Sequence, residues 1–118
     1  PKNLIMASDS CLSYKTIIYN VAPIRIGKNS CISQFSFLCT ASHNIESGSM
    51  ELKTSPIYIG DNVWIGADCY INLGCKIMNN AVIAARSTIF KDVNENEVVS
   101  STTVHKLIKK RKPPKKFI

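Results

Sequence analysis

Two histidines, His43 and His105, are the only imidazoles in the 118-residue sequence. Imidazole is the side chain that most readily takes and returns a proton near neutrality. His43 closes the segment Cys39-Thr40-Ala41-Ser42-His43, just before a polar stretch, Asn44 to Pro56, that holds a glycine, a proline and three serines. A base at the root of such a loop is held from behind while facing solvent and substrate in front. A surface histidine without chemistry fits the position alone equally well. The five cysteines, Cys11, Cys31, Cys39, Cys69 and Cys75, are odd in number and lack metal-type spacing. They read as reduced packing residues of a cytoplasmic protein. A three-histidine zinc site, as a metal-dependent lyase would need, is beyond two histidines.

The element that must position His43 is a repeat. From Ile59 to Ile89 isoleucine returns at every sixth position: Ile59, Ile65, Ile71, Ile77, Ile83 and Ile89. Neither a helix nor a flat strand has this period. Short strands that turn a corner once per repeat do, and three repeats close a triangular coil that stacks on the next at the inter-strand spacing of roughly 4.8 Å. Ile59 then lies under Ile77, Ile65 under Ile83 and Ile71 under Ile89. Four positions after each isoleucine come Val63, Cys69, Cys75, Ala81, Ser87 and Val93, compact enough for the interior. Gly60, Gly66 and Ala84 follow an isoleucine directly and suit a bending chain.

The same period appears as Ile26, Ile32 and Leu38, with Ser30, Ser36 and Ser42 in the small slot, and is then interrupted by a loop over 44–56. Pro1 to Ala22 reads as degenerate first turns with Ile5, Cys11 and Ile17 in the repeat position, and their unpaired strand edges need cover. Pro1 in place of a methionine points to a trimmed or processed chain. Val98 and Val99 are expected to add a last strand, and Val104 to Arg111 a short amphipathic helix whose Leu107 and Ile108 cap the coil end. The expected organisation is thus a β-coil domain over 1–104 and a basic helix and tail over 105–118. The net charge of +7 follows this division: eight Lys or Arg balance eight Asp or Glu up to His105, and the excess lies in Lys106, Lys109, Lys110, Arg111, Lys112, Lys115 and Lys116. No run approaches the roughly 20 apolar residues of a membrane-spanning helix, and no signal peptide opens the chain.

The pattern of an aliphatic residue, Gly or Ala, two free positions and a small residue resembles the hexapeptide repeat. The segments IGKNSCISQFSFLCTASHN, LKTSPIYIGDNVWIGA and the repeats ending in IFKDV are similar in order and spacing to hexapeptide O-acetyltransferases of the galactoside, nodulation and colanic acid type. The resemblance covers Ile24 to Lys110. It implies an all-β fold, a left-handed parallel β-helix with an extruded loop and a short C-terminal helix. It further implies transfer of acetyl from acetyl-CoA to a hydroxyl of a sugar or polysaccharide precursor, without a metal, by a cytoplasmic homotrimer with active sites between subunits. In that family the histidine matching His43 is the general base of a direct ternary-complex transfer, which leaves Cys39 a bystander. Ala67 and Ala85, eighteen residues apart, match positions lining the coenzyme; Phe90 and Lys91 match its next contacts, and Lys106 and Lys109 the basic residues for its phosphates. Trp64 is either a coenzyme contact or a hydrophobic contact between subunits.

The sequence also departs from the family. Asn44 stands where many members have an aspartate. Ser100 to Val104 replaces a Gly and Pro turn before the terminal helix. Ser13 and Val21 fall where sugar-specific relatives hold the acceptor with Asn and Asp; Ser13, Tyr19, Asn20 and Asn44 are the acceptor-side candidates, with strand packing the plain account of Tyr19. The alternative from another class is a non-catalytic β-helix trimer whose basic tail binds nucleic acid or another partner. Salt-sensitive phosphate contacts would suit seven cations, but only Phe117 supplies an aromatic among them, which disfavours nucleic acid.

Overall fold

The computed structural model describes residues 2–101 and 106–111, which form sixteen short strands and no helix. Coil one comprises β1 (Leu4–Met6), β2 (Cys11–Leu12) and β3 (Ile17–Tyr19); coil two β4 (Ile24–Ile26), β5 (Cys31–Ile32) and β6 (Phe37–Cys39). A hairpin, β7 (Ala41–His43) and β8 (Leu52–Thr54), then leaves the coil. Coil three resumes with β9 (Ile57–Ile59), β10 (Trp64–Ile65) and β11 (Tyr70–Ile71), and coil four adds β12 (Lys76–Ile77), β13 (Val82–Ile83) and β14 (Thr88–Ile89). The described residues close with β15 (Glu97–Ser100) and β16 (Lys106–Lys110). Three parallel sheets form the faces: β1-β4-β9-β12 is face A, β2-β5-β10-β13-β15 face B with β16 added antiparallel, and β3-β6-β11-β14 face C. The parallel β-helix is the expected architecture.

The stacking follows the isoleucine register. Ile59 pairs with Ile77, Ile65 with Ile83 and Ile71 with Ile89, all fully buried. The small slot is buried as well, at Val63, Cys69, Cys75, Ala81, Ser87 and Val93. Buried serine hydroxyls must be hydrogen-bonded to be tolerated, and these join successive coils. Ser30 Oγ donates to the Gly60 carbonyl and accepts from Val63 N–H at 3.0 Å; Ser36 Oγ donates to the Gly66 carbonyl and accepts from Cys69 N–H at 3.2 Å. Ser42, expected in this slot, is instead exposed on the hairpin.

The corners turn two positions later than the glycines suggest. The left-handed backbone falls on Asp9, Asn29, Asn62, Asn80 and Asn96 at one corner and on Lys15, Phe35, Asp68 and Arg86 at the next. Asn and Asp tolerate this region best among residues with a Cβ. Gly27 and Gly60 have a different task. A Cβ on Gly60 would sit 2.3 Å from Asn79 Oδ1, the atom that accepts the Asp61 N–H at 2.8 Å. Likewise the Asp61 carboxylate reaches over Gly27 to accept the Lys28 N–H at 2.8 Å.

Three expectations are corrected. In the first coil Ile5 and Ile17 are half exposed and Cys11 points outward, whereas Leu4, Leu12 and Ile18 pack against the core. Leu12 pairs with Ile32 and Ile18 with Leu38, so the true frame is Met6, Leu12, Ile18, with Ser10, Thr16 and Ala22 four positions on. A one-residue shift moves a whole strand set to the opposite face. Second, the segment expected as a terminal helix is strand β16 from Lys106 to Lys110, antiparallel to β15; Leu107 and Ile108 are exposed rather than packed over the coil end. Residues 102–105, including His105, and the tail 112–118 lie outside the described residues. Third, Cys11 and Cys31 are not reduced packing residues. They face outward on paired strands with Cα atoms 4.8 Å apart and are joined as a disulfide; Cys39, Cys69 and Cys75 are free and buried.

Close coil contact gives a stability test. A Cβ on Gly66 would meet Ala85 N at 2.7 Å and Ala85 Cα at 2.9 Å, backbone that moves only with its coil, while one on Gly48 meets nothing within 4 Å. Gly66→Ala is expected to cost about 1–3 kcal/mol, and Gly48→Ala to stay within about 0.5 kcal/mol. Urea unfolding of the two variants beside the parent checks both values.

Candidate active site

Thr40 fixes the point where the hairpin departs. Its hydroxyl donates to the Tyr19 carbonyl at 2.7 Å and accepts from Ala22 N–H at 3.0 Å, while its carbonyl accepts from Ser55 N–H, where the chain returns. Between these anchors β7 and β8 pair antiparallel, Ala41 with Thr54, Ser42 with Lys53 and His43 with Leu52. The distal loop is a chain of local hydrogen bonds: Asn44 N–H to the Glu51 carbonyl, Asn44 Nδ2 to Glu51 Oε1, and Glu46 N–H to Asn44 Oδ1. Both ends of the Asn44 amide are therefore engaged within the hairpin. The expected polar loop is an ordered hairpin.

His43 is exposed at the end of β7, and its Nδ1 lies 2.8 Å from the Met50 carbonyl oxygen. A carbonyl can only accept, so Nδ1 carries the proton and Nε2 keeps its lone pair. Met50 has φ of 51°, the left-handed region, in the turn whose Met50 N–H donates to Ser47. The acceptor that fixes the imidazole is thus a backbone carbonyl. Sequence reasoning missed Met50, because a backbone carbonyl leaves no residue-type signal.

The other candidates fall into groups. Tyr19, half exposed on β3, and Asn20 occupy the corner from which the hairpin leaves. Ser13 follows β2 at the opposite edge of face C and its N–H donates to the Ile32 carbonyl. Ala67 and Ala85 are stacked at that same edge, where Arg86 N–H donates to the Ala67 carbonyl at 2.8 Å. Phe90 and Lys91 are exposed at the hairpin side of face C. There Phe37, Tyr70 and Phe90 form an aromatic row with ring centroids 5.6 Å and 5.9 Å apart. Face C therefore runs between the alanine corner and the histidine hairpin, and one chain does not superimpose the two.

Trp64 is 55% exposed on face B, in register with Cys31, and its indole N–H donates to Ser33 Oγ at 2.9 Å. It lines a depression of about 260 Å³ with Asp9, Asn29, Asn62 and Arg111. Arg111 was not anticipated: its Nη1 donates to the carbonyls of Asn62 and Asn80 and binds the end of β16 to the asparagine corner. Lys109 is exposed on β16; the Lys106 side chain lies outside the described residues. Among the described residues no group of three or more His, Cys, Asp or Glu could hold a metal ion.

Burial pushes the Cys75 thiol up to about 11, with the nearby Asp92 carboxylate acting in the same direction, and raises Cys69 as well. Tyr70, desolvated and beside the Cys39 thiol, is pushed up to about 12. A folded-state pKa above the unfolded one favours folding while the group stays neutral, and that contribution is lost as pH rises through the folded value. Stability should hold up to about pH 9 and fall between about pH 9 and 11. Urea midpoints across this range check it, and Cys75→Ala should shrink the fall.

Comparison with known proteins places these features. Residues 56–91 match the bacterial transferase hexapeptide family of six repeats. A candidate colanic acid biosynthesis acetyltransferase of Escherichia coli is 38% identical over 81 residues, 69% of this chain and 44% of that protein. The galactoside O-acetyltransferase of Escherichia coli is 31% identical over 101 residues, 83% of this chain and 50% of that protein. The crystal structure of a maltose O-acetyltransferase from Clostridium difficile superimposes with a TM-score of 0.86 at 32% identity, over 93% of this chain and 60% of that one. The chain spans about half the length of the curated relatives it matches.

Proposed function

Because the chain belongs to the hexapeptide-repeat transferase family, we propose that it is an acetyl-CoA-dependent O-acetyltransferase acting on a hydroxyl of a sugar or polysaccharide precursor. The observation that carries the reading is the bond from His43 Nδ1 to the Met50 carbonyl, which leaves Nε2 basic and directed outward on a braced hairpin. Nε2 takes the proton from the acceptor hydroxyl as the oxygen attacks the thioester carbonyl. The tetrahedral intermediate collapses to the acetyl ester, and the departing thiolate recovers the proton from the imidazolium. No acyl-enzyme is formed, and the buried Cys39 takes no part.

The corner of Ala67 and Ala85 offers only methyl groups beside the backbone, a shallow track for a thin pantetheine arm. Phe90 and Lys91 then serve as flanking coenzyme contacts, Lys106 and Lys109 bind its phosphates, and Trp64 bounds the groove. Tyr19 and Asn20, at the root of the hairpin, are the better-placed acceptor contacts; Ser13, at the alanine corner, and Asn44, engaged in its own loop, are weaker ones. A histidine at one edge of face C and a coenzyme track at the other make a working site when a neighbouring copy brings its hairpin to that track. We therefore assign a homotrimer with sites between subunits, as closed cyclic symmetry permits. No described helix is long and apolar enough to cross a membrane. We assign the enzyme to the cytoplasm; the Cys11–Cys31 disulfide faces outward and is therefore open to reduction in that compartment.

Acetyl-CoA and a panel of sugars, with release of free coenzyme thiol as the readout, test the assignment. The parent is expected to turn over at least one acceptor, and His43→Ala to lower kcat by about 10²–10⁴-fold with little change in KM for acetyl-CoA. Equal turnover by His43→Ala would remove the base. Ala85→Leu should act the other way, raising KM for acetyl-CoA by filling the track.

A further inference from the structure

The corner that carries Ala67 and Ala85 changes character in the two coils below them. Its backbone hydrogen bonds repeat in register: Phe35 N–H donates to the Tyr14 carbonyl at 3.0 Å, Asp68 N–H to the Gln34 carbonyl at 2.9 Å and Arg86 N–H to the Ala67 carbonyl. Ala85, Ala67, Gln34 and Tyr14 therefore form one column down the corner, with Arg86, Asp68, Phe35 and Lys15 beside it. In coils three and four the first column offers only methyl groups. In coils one and two a pair of aromatic rings stands out instead. Tyr14 is 67% exposed and Phe35 51% exposed, with ring centroids 5.8 Å apart and ring planes at 81°. The Lys15 ammonium lies over the Tyr14 ring, 5.3 Å from its centroid.

Neither ring belongs to the core. Phe35 moreover has φ of 64°, a backbone region that a bulky side chain occupies at a cost, whereas Asn29 makes the preceding corner of the same coil with a residue that tolerates it. A large ring held exposed on strained backbone points to a contact outside the fold. The surroundings narrow what that contact is. One pair of rings bordered by exposed Lys15, Gln34 and Asp68 is too small and too polar at its rim for a bilayer or a protein partner. A pyranose has the matching chemistry: it is one ring wide, turns polarised C–H bonds to one face and carries hydroxyls around its edge. Such C–H bonds are drawn to the negative face of an aromatic ring. The adenine of the coenzyme is the other flat group at hand, but its phosphates are assigned to Lys106 and Lys109 beyond coil four. The thioester end is then the one that comes down the alanine column, and Gln34 lies only one coil, roughly 4.8 Å, below Ala67.

We propose that Tyr14 and Phe35 form a stacking platform for the pyranose ring of the acceptor, at the end of the coenzyme track where the acceptor hydroxyl meets the thioester. The rings hold the sugar by its C–H face, and the Lys15 ammonium donates to a hydroxyl at its rim. The pair thereby selects a cyclic sugar over an open-chain polyol with the same hydroxyl groups. The assignment rests on the acetyl-transfer reading, and sugar binding in the absence of coenzyme tests it separately.

The test combines saturation-transfer NMR of the full chain without coenzyme, using methyl β-galactopyranoside, methyl β-glucopyranoside and galactitol as probes, with steady-state kinetics on whichever pyranoside is acetylated. Transfer from the aromatic protons is expected to at least one pyranoside and not to galactitol, and Tyr14→Ala or Phe35→Asn should abolish it. In the kinetics each of these variants should raise KM for the acceptor about three- to tenfold, the size of one aromatic contact, with KM for acetyl-CoA unchanged. Tyr14→Phe, which keeps the ring, should behave as the parent. Phe35→Asn places a tolerant residue on the left-handed backbone, so its urea midpoint should equal or exceed that of the parent, which separates loss of the ring from loss of the fold. No pyranoside binding, equal binding of galactitol, unchanged acceptor binding in both variants, or a rise in KM for acetyl-CoA instead would overturn the proposal. So would a change of oligomeric state in the variants by light scattering, which would assign the rings to a contact between copies. Absence of acetyl transfer by a parent that still binds pyranosides through these rings would overturn the acetyl-transfer reading and leave a sugar-binding platform.

Discussion

Every feature of the molecule depends on one constraint: a large aliphatic side chain in each strand must sit directly over its counterpart in the coil below. Buried isoleucine over isoleucine gives a narrow core one side chain deep, and the backbone hydrogen bonds between coils hold it in register. The core leaves little choice elsewhere. Slots beside the ladder must be small, polar groups within it must bond to the next coil, and each corner must place a residue in the left-handed region. Ser30 and Ser36 satisfy the second demand and Asn29, Asn62 and Asn80 the third. Because each coil is stabilised by its neighbours, the chain can leave the coil at a corner and return without loss of core, provided both ends are anchored. Thr40 and Ser55 are those anchors.

Where the ladder is regular, the sequence reads without ambiguity: the isoleucine stacking, the small slots and the departure of the chain after Leu38 all follow from period six. The first coil was misread because two aliphatic series overlap there. Ile5, Cys11 and Ile17 keep the period, but so do Met6, Leu12 and Ile18, and only the second has small residues four places on, at Ser10, Thr16 and Ala22. Applying the slot rule to both series separates them. The cysteine pair follows from the same correction, since Cys11 is outward in the true frame and lies directly opposite Cys31. The segment after Ser101 was harder to read. KLIKK has the spacing of a short amphipathic helix, and it is a strand because β15 offers a free edge with which it pairs.

The site was legible in part. His43 announces itself as a lone imidazole at a break in the repeat, whereas the group that orients it belongs to the backbone of a residue seven positions away. The separation of Ala67 and Ala85 from the hairpin by the width of face C is also invisible in sequence, because it arises from the folding of each coil into three sides. Under the proposed function, a site divided between two corners would depend for its assembly on how copies meet, and the rigidity of each coil would set how accurately base and coenzyme are opposed.

The stacked coils also show how such a protein can acquire a new specificity. Partners in register are 20 residues apart at the disulfide, 33 apart across the hairpin and 18 apart above it, yet they lie at equivalent places on successive coils. Chain length is therefore free at the corners and fixed everywhere else. An insertion at a corner changes what the surface can grip without disturbing a buried residue. Such corners are natural grafting points through which a lineage can change what its surface binds while keeping its scaffold.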